Sequence, residues 1–466
     1  MSRLIVVSNR VNPPSDAGAG TTGGLAMALA AALREDQGIW FGWSGRTTDQ
    51  FTGQMSMQRV SDVTVATVDL EEQDVQEYYN GYANKTLWPL FHYRIDLTAY
   101  ERSFGEGYGR VNKRFAEMLR PLIGPGDTIW VHDYHLIPLA RELRELGVEN
   151  PIGFFLHIPW PARQLVTTLP RHRQLVEALF TYDLVGFHTE EWLSAFRDYV
   201  LVEAGGEVLA GYCLRAFGRT VQASAFPIGI DADTFSEAAT SRPAQEAFER
   251  IVESRAGRQM IVGVDRLDYS KGLEERFTAY EQFLADNPDL REQVFLLQIA
   301  PPSREDVEAY QEIRGKLEAL TGHINGAYAT IDWVPVRYVN TAFRRDELAG
   351  IYRASSLGLV TPMRDGMNLV AKEYVAAQDP DDPGVLILSR FAGAALQLKE
   401  ALVVNPFSRE DVSEAIRRGL SMSREERVDR WQALNENVRR ENVFAWRDNF
   451  VGALKAAAAR ATGEGG

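Results

Sequence analysis

Short apolar runs that stop on a polar or charged residue and then give way to helical spacing recur along this chain, and that rhythm leaves few folds open. Thr128–Val131 ends at His132-Asp133 and is followed by a helical segment over Leu136–Leu146. Ile152–Leu156 ends at His157, Leu184–Phe187 repeats the pattern, and Arg3–Ser8 and Ile39–Trp43 precede them. Short β-like pieces and glycines cluster between Glu203 and Pro227, and the rhythm then resumes at Met260–Val264, Val294–Ile299, Leu357–Val360 and Val385–Leu388. A short run that is apolar throughout reads as a buried strand, and the alternation of strands with helices is that of a parallel sheet covered by helices. The chain has 466 residues, too many for one ordinary core. We therefore expect an α/β protein with two parallel-sheet domains, 1–230 and 231–440, divided near Pro227–Asp231. Glu71–Tyr82 and Gly23–Arg34 read as helices. The tail Arg424–Ala459 reads as almost wholly helical, with 441–466 forming a terminal helix that packs back on the first domain.

The balance of charge narrows the function. A net charge of −14 argues against general nucleic-acid binding, so basic groups that hold anionic substrates must be concentrated locally. Cys213 is the single cysteine, which excludes an internal disulfide and fits a reducing compartment. The segment MSRLIVVSNR runs straight into a strand without the pattern of a signal peptide, and no stretch has the length needed to span a bilayer. The expectation is a cytoplasmic enzyme or binding protein with no membrane and no nucleic-acid partner.

Open parallel sheets bind ligands outside the carboxyl ends of their strands. Arg10, Asp133, His157, Arg266 and Asp365 all fall there. The richest stretch is RDGMNLVAKEYVAAQ, Arg364–Gln378, directly after the run Leu357–Val360. Asp365-Gly366 reads as a turn and Asn368 onward as a helix of good formers. A helix opening just past a strand end offers unpaired N–H groups and the positive end of its dipole to a diphosphate. Leu369 and Glu373 share a face, one turn in from that anion site, where a carboxylate can accept both hydroxyls of a ribose. Asp365 is placed to reach sugar hydroxyls on the other side. Arg266 and Lys271, after the Met260–Val264 run, can neutralise a leaving diphosphate. Arg10 and Arg304, with Tyr79 and Trp88, can form a second anion site, although core packing is the competing use of the aromatics.

Three further motifs carry less. Gly18–Gly23 matches GxGxxG, but a polar stretch separates it from the first strand and no acidic residue closes the next one, which disfavours a nicotinamide cofactor. What survives is that Gly23-Gly24 opens a helix and lets a phosphate approach, with a ligand-free glycine loop an equal alternative. His132 and His135, with His157 nearby, lack the spacing of a helical zinc pair and have no cysteine support. Asp133 and His157 serve better as hydroxyl partners. Asp231-Ala232-Asp233-Thr234 has the look of a phosphatase DxD start but reads as a helix cap.

Together these pieces resemble the bacterial α,α-trehalose-phosphate synthases (UDP-forming), retaining glycosyltransferases of family 20. The resemblance runs through SNR (Ser8–Arg10), GGLA (Gly23–Ala26), WFGWSG (Trp40–Gly45), EYYN (Glu77–Asn80), LWPLFHYR (Leu87–Arg94) and VHDYHL (Val131–Leu136). It continues through GFFLHIP (Gly153–Pro159), DRLDYSKGL (Asp265–Leu273), QIAPPSR (Gln298–Arg304), the Arg364–Gln378 stretch and SRFAGAA (Ser389–Ala395). It implies a GT-B fold, with two Rossmann-like domains facing across a cleft, and transfer of glucose from UDP-glucose to glucose 6-phosphate. By motif, Gly23, Gly24, Arg266 and Lys271 would hold the donor phosphates, and Phe343, Leu369, Val370 and Glu373 the uridine. Asp365 and His157 would hold the donor glucose. Arg10, Tyr79 and Arg304 would take the acceptor phosphate and Asp133 its hydroxyls, while Trp88 and Ile158 would help select the anomer. The resemblance further implies same-face displacement with no covalent intermediate, no cofactor and no obligatory metal. It also implies a homo-oligomer, dimer or tetramer, and a separate phosphatase downstream. The alternatives are another acceptor such as glycerol 3-phosphate, or a catalytically silent sugar-phosphate sensor.

Overall fold

The apolar runs do form strands. The structure, a computed structural model, describes residues 3–11, Leu29, Leu33, 38–60, 63–303 and 308–462. The chain divides into two compact units. One is built from Leu25–Ile228, the N-terminal strand and Val443–Gly466, and the other from Gly229–Asn442. Of the helix expected over Gly23–Arg34, only Leu29 and Leu33 are described, both helical and buried. No helix of the described residues is long and apolar enough to cross a membrane.

The first unit carries, among the described residues, β1 (Leu4–Arg10), β2 (Ile39–Thr48), β3 (Met55–Val60), β4 (Val63–Glu71), β5 (Thr128–His132), β6 (Ile152–Phe155), β7 (Leu184–Phe187), β8 (Glu207–Val208), β9 (Cys213–Ala216) and β10 (Arg219–Ala225). They form one sheet in the order β3-β4-β2-β1-β5-β6-β7-β10-β9-β8. The middle is parallel, and β3 at one end and β9–β8 at the other pair antiparallel. Strands β5, β6 and β7 are buried along their whole length, which is why they read as unbroken apolar runs.

The helix Val443–Thr462 closes one face of this sheet. Phe450 is fully buried and stacks on Trp130 at 4.6 Å, and Trp446 packs beside it. Gly153 in β6 and Gly186 in β7 make the slot for that ring, because a Cβ at either would come within 2.7 Å of it. The tail is therefore two helices, Arg424–Arg440 and Val443–Thr462, which belong to different units.

The segment Glu71–Tyr82, expected to be helical, is so from Glu72 onward, with an unusual winding: Glu72–Asp74 is α-helical and Val75–Leu87 is a 13-residue π-helix. Such wide winding is rare and favours functional sites. Its start is anchored by ion pairs rather than by local propensity. Arg110 bridges Asp74 at 2.9 Å and Glu77 at 2.7 Å, and Arg114 holds Glu71 at 2.8 Å and also Asp74. Both arginines lie on the Arg102–Leu119 helix.

The second unit carries β11 (Gln259–Val264), β12 (Val294–Ile299), β13 (Val336–Val339), β14 (Leu357–Val360), β15 (Val385–Ser389) and β16 (Leu402–Val404). They form an all-parallel sheet in the order β13-β12-β11-β14-β15-β16. The fold class expected from the sequence, α/β with two parallel-sheet domains, is the one found. Asp231 caps the Ala232–Ala238 helix, accepting from the Thr234 N–H at 3.1 Å, so the DxD segment is a helix start as read.

Candidate active site

Each sheet reverses its strand order once near the middle, and Lys271, Asp365, Arg10 and Asp133 lie at or just after the ends of the strands that border those two places. In the second unit the chain runs outward from β11 through β12 to β13, then from β14 through β15 to β16. The crevice between β11 and β14 is the topological switch point, where open α/β sheets take ligands. Lys271, from the loop after β11, reaches Asp365, from the loop after β14, with 2.5 Å between Nζ and Oδ2. The Asn368 amide donates to the same carboxylate oxygen at 3.1 Å. Gly272 follows Lys271 at φ +64°, and a Cβ there would meet the Thr361 carbonyl at 2.4 Å. A glycine is what lets the chain turn into the Leu273–Asp286 helix so close to β14.

The helix after β14 spans Leu369–Ala377 and starts one residue later than the sequence implied. Asn368 is its cap, not its first turn. It sits at φ +80°, and its side chain accepts from the Ala371 N–H at 3.2 Å. The left-handed residue of this loop is therefore Asn368, whereas Gly366 had been expected to supply the turn. The helix buries Ala371, Lys372, Tyr374 and Val375 and leaves Leu369, Val370 and Glu373 half-buried on one face. Burial pushes the Glu373 carboxyl up to about 7, against the opposing pull of Arg345. Lys372, behind it, is pushed down to about 7 by burial and donates to Gln397 at 2.7 Å. Phe343 is half-buried in the loop ahead of the Arg345–Arg353 helix. Arg266 is exposed, 3.9 Å from the buried Asp268.

Sequence reasoning missed the support beneath Lys271 and Asp365. Arg276 is fully buried and pairs with Asp265 at 2.8 Å while donating to Gln298, Thr361 and the Lys271 carbonyl. Burial raises the Asp265 carboxyl, with Arg276 and Lys271 pulling the other way. The available signal was an arginine on a helix face otherwise made of Leu273, Phe277 and Tyr280, where only a paired charge is tolerable.

In the first unit the switch point lies between β1 and β5, since β2 and β4 run one way and β6 and β7 the other. Arg10 is the exposed last residue of β1, with its guanidinium 5.8 Å from the Trp43 ring. Tyr79, on the π-helix, meets Trp43 edge-on at 5.5 Å and stacks on His135 at 5.9 Å. Trp88 is buried against His92 and Tyr134. Asp133 follows β5 at φ +76°, and its carboxylate accepts from the His157 N–H at 3.2 Å. A non-glycine residue in that conformation is strained, and such strain concentrates at functional sites.

His157 is half-buried after β6, and its Nε2 is 3.0 Å from His132 Nδ1. Burial holds His132 down to about 3, and burial together with His132 and His188 holds His157 well below the ordinary range. His157 is therefore a neutral ring at physiological pH, suited to a sugar hydroxyl rather than a phosphate. Ile158 beside it is buried. Gly23, Gly24 and Arg304 lie outside the described residues. No group of three or more His, Cys, Asp or Glu among the described residues is placed to hold a metal ion.

The sequence profile of glycosyltransferase family 20 matches residues 3–456 of the chain. The chain belongs to glycosyltransferase family 20. This family 20 member is 48% identical to a trehalose-6-phosphate synthase of Sinorhizobium fredii over 462 residues, covering 99% of this chain and 100% of that one. Among solved structures it resembles an α,α-trehalose-phosphate synthase (UDP-forming) from Burkholderia xenovorans in complex with glucose-6-phosphate, at 49% identity and a TM-score of 0.95. That likeness covers 97% of this chain and 100% of the other. It also resembles an E. coli structure described as bound with UDP-2-fluoro glucose, at 45% identity and a TM-score of 0.93, over 97% and 99% of the two chains.

Proposed function

We propose that this family 20 glycosyltransferase makes α,α-trehalose 6-phosphate and UDP from UDP-glucose and glucose 6-phosphate, with retention of configuration, as a step of trehalose biosynthesis. The observation that carries the reading is the second unit's switch point. A Lys271–Asp365–Asn368 cluster lies at the head of a helix whose half-buried face offers Leu369, Val370 and Glu373. That arrangement suits a nucleotide sugar. Lys271 and Arg266 take the diphosphate, and Glu373 takes the ribose hydroxyls. Leu369 and Val370, with Phe343, flank the uracil. Asp365 and His157 take hydroxyls of the donor glucose. On the first unit Arg10 and Tyr79 take the acceptor phosphate, Asp133 its sugar hydroxyls, and Trp88 and Ile158 shape the pocket around the anomeric position.

In this reading the bond from C1 of glucose to the β-phosphate oxygen breaks as the acceptor hydroxyl bonds to C1 on the same face. The departing phosphate oxygen takes the hydroxyl proton. No carboxylate nucleophile is needed, and the protein contributes alignment and cationic stabilisation of the leaving diphosphate. Lys271 and Arg266 supply the charge that a metal would otherwise bring, so turnover persists in EDTA. Assembly into a homo-oligomer, a cytoplasmic setting and a separate phosphatase acting on the product complete the reading.

The test is release of UDP from UDP-glucose with glucose 6-phosphate as acceptor, with the product's anomeric configuration read by proton NMR. Release with glycerol 3-phosphate and none with glucose 6-phosphate would overturn the acceptor assignment. Binding of both substrates without release would make the protein a sensor.

A further inference from the structure

Away from the site, the first unit holds a cavity of about 490 Å³ between the Arg102–Leu119 helix, the π-helix and the segment Leu169–Ala178. That volume is in the range of small-ligand pockets. Three arginines line it, Arg102, Arg141 and Arg171, against one acid, Glu101, on a chain whose net charge is −14. Arg102 is paired with Glu106 and Arg141 with Glu142. Arg171 has no ion pair among the described residues, and it sits at φ +59° as the cap of the His172–Leu179 helix. A long cationic residue in that conformation is uncommon, and local capping does not call for it. Its charge faces the half-buried Tyr82, whose acidity it favours against burial. The Tyr82 hydroxyl has no hydrogen bond among the described residues, while its ring packs on Tyr108 at 4.4 Å.

The helix facing these groups carries Gly105, Gly107 and Gly109 within two turns. Glycine is unfavourable in a helix interior, so each calls for a reason. Gly107 has one, because a Cβ there would come within 2.4 Å of Glu77. Gly105 and Gly109 line the cavity, and packing does not require them. A Cβ on Gly105 would meet Tyr82 only at 3.8 Å, and one on Gly109 would meet nothing within 4 Å. The helix is bare on the side where it borders empty space.

We propose that this cavity is a second binding site, for a small organic anion with a flat or apolar body. The anionic group would lie against Arg171 and the Tyr82 hydroxyl, and the body would lie over Gly105 and Gly109. The inference stands independently of the reaction proposed above.

The test uses 8-anilinonaphthalene-1-sulfonate as the anionic probe and N-phenyl-1-naphthylamine as its uncharged counterpart, with binding followed by fluorescence on the full chain. The sulfonate should bind at least tenfold more tightly than the uncharged probe. Arg171→Asn, which tolerates the backbone conformation, should abolish that preference. Gly109→Phe should abolish binding of both probes. Melting temperature and far-UV circular dichroism establish that each variant is folded. Sulfonate preference retained in Arg171→Asn overturns the anion assignment, and unchanged binding in Gly109→Phe overturns the cavity as the site.

Discussion

Lys271 Nζ and Asp365 Oδ2 meet at 2.5 Å across the point where the second sheet reverses its strand order, each side chain only 14% exposed. Neither strand end holds its charge alone. Beneath them Arg276 and Asp265 form a buried pair that fixes the Lys271 carbonyl, so the cation is aimed from below as well as restrained from across. Lys271→Ala should lower kcat/KM for UDP release by about 100-fold or more, the scale of losing one preorganised donor to a developing negative charge. Initial rates at varied UDP-glucose measure this, and a change confined to KM would assign Lys271 to binding alone.

Glu373 gives a pH dependence with a definite sign. Its folded value, about 7, lies above the 4.5 of an unperturbed glutamate, so the folded state holds the proton more tightly. There is no penalty below about 4.5; stability declines as pH rises from there and is fully reduced above about 7. Glu373→Gln should therefore stabilise the ligand-free protein at pH 8 by roughly 1–3 kcal/mol and leave it unchanged near pH 4. Urea melts at the two pH values read the difference.

The same residue should govern UDP affinity in the opposite direction. An ionised carboxylate accepts both ribose hydroxyls, so the dissociation constant of UDP should rise as pH falls through about 7. In Glu373→Gln it should be about tenfold weaker, the scale of hydrogen bonds to a charged group, with that pH dependence removed. Calorimetric titrations between pH 6 and 8 decide this, and a parallel profile in the variant would remove Glu373 from the ribose.

Gly272→Ala tests the approach of the Lys271 loop to β14. The residue is left-handed, and an added methyl would meet the Thr361 carbonyl at 2.4 Å. We expect a loss of about 1–3 kcal/mol by urea denaturation, together with a fall in kcat as Lys271 shifts.

Phe450→Ala tests the terminal helix. The ring is fully buried on Trp130 and over two glycines, so a cavity opens that the strands cannot close. The expected cost is about 3–5 kcal/mol, seen as an early urea transition of the first unit.

The strands that position the site were legible because parallel strands are buried on both faces and end abruptly at polar tips, as Thr128–His132 and Leu357–Val360 do. The hairpin strand Met55–Val60 was not, since four of its six residues face solvent and it has no apolar run. The short strand Leu402–Val404, at the edge of its sheet, was missed for a different reason: it is three residues long, and Val403 in the middle faces solvent. The π-winding of Val75–Leu87 was also hidden: its sequence has ordinary helical composition, and the ion pairs that hold its first turn come from the Arg102–Leu119 helix, beyond the reach of local preference. Within the site, Asp365 and Lys271 could be placed at strand ends from the sequence, but their direct pairing could not. Arg276 and Asp265 stayed invisible, because sequence gives a buried charge no mark until its partner is known. Asn368 was read as helix because Asn-Leu-Val-Ala continues a helical composition. Its non-helical backbone and the bond its side chain accepts from the Ala371 N–H make it the cap.

The final helix has a consequence for how the molecule comes off the ribosome. The sheet made first, from strands between Leu4 and Ala225, leaves Trp130, Phe155 and Phe226 bare until Trp446 and Phe450 have been translated. The earliest part of the polypeptide is thus the last to be finished, and the whole second unit is synthesised while that greasy face waits. A nascent chain stalled before residue 443 should expose it to chaperones, and release of the last twenty-odd residues should end that dependence.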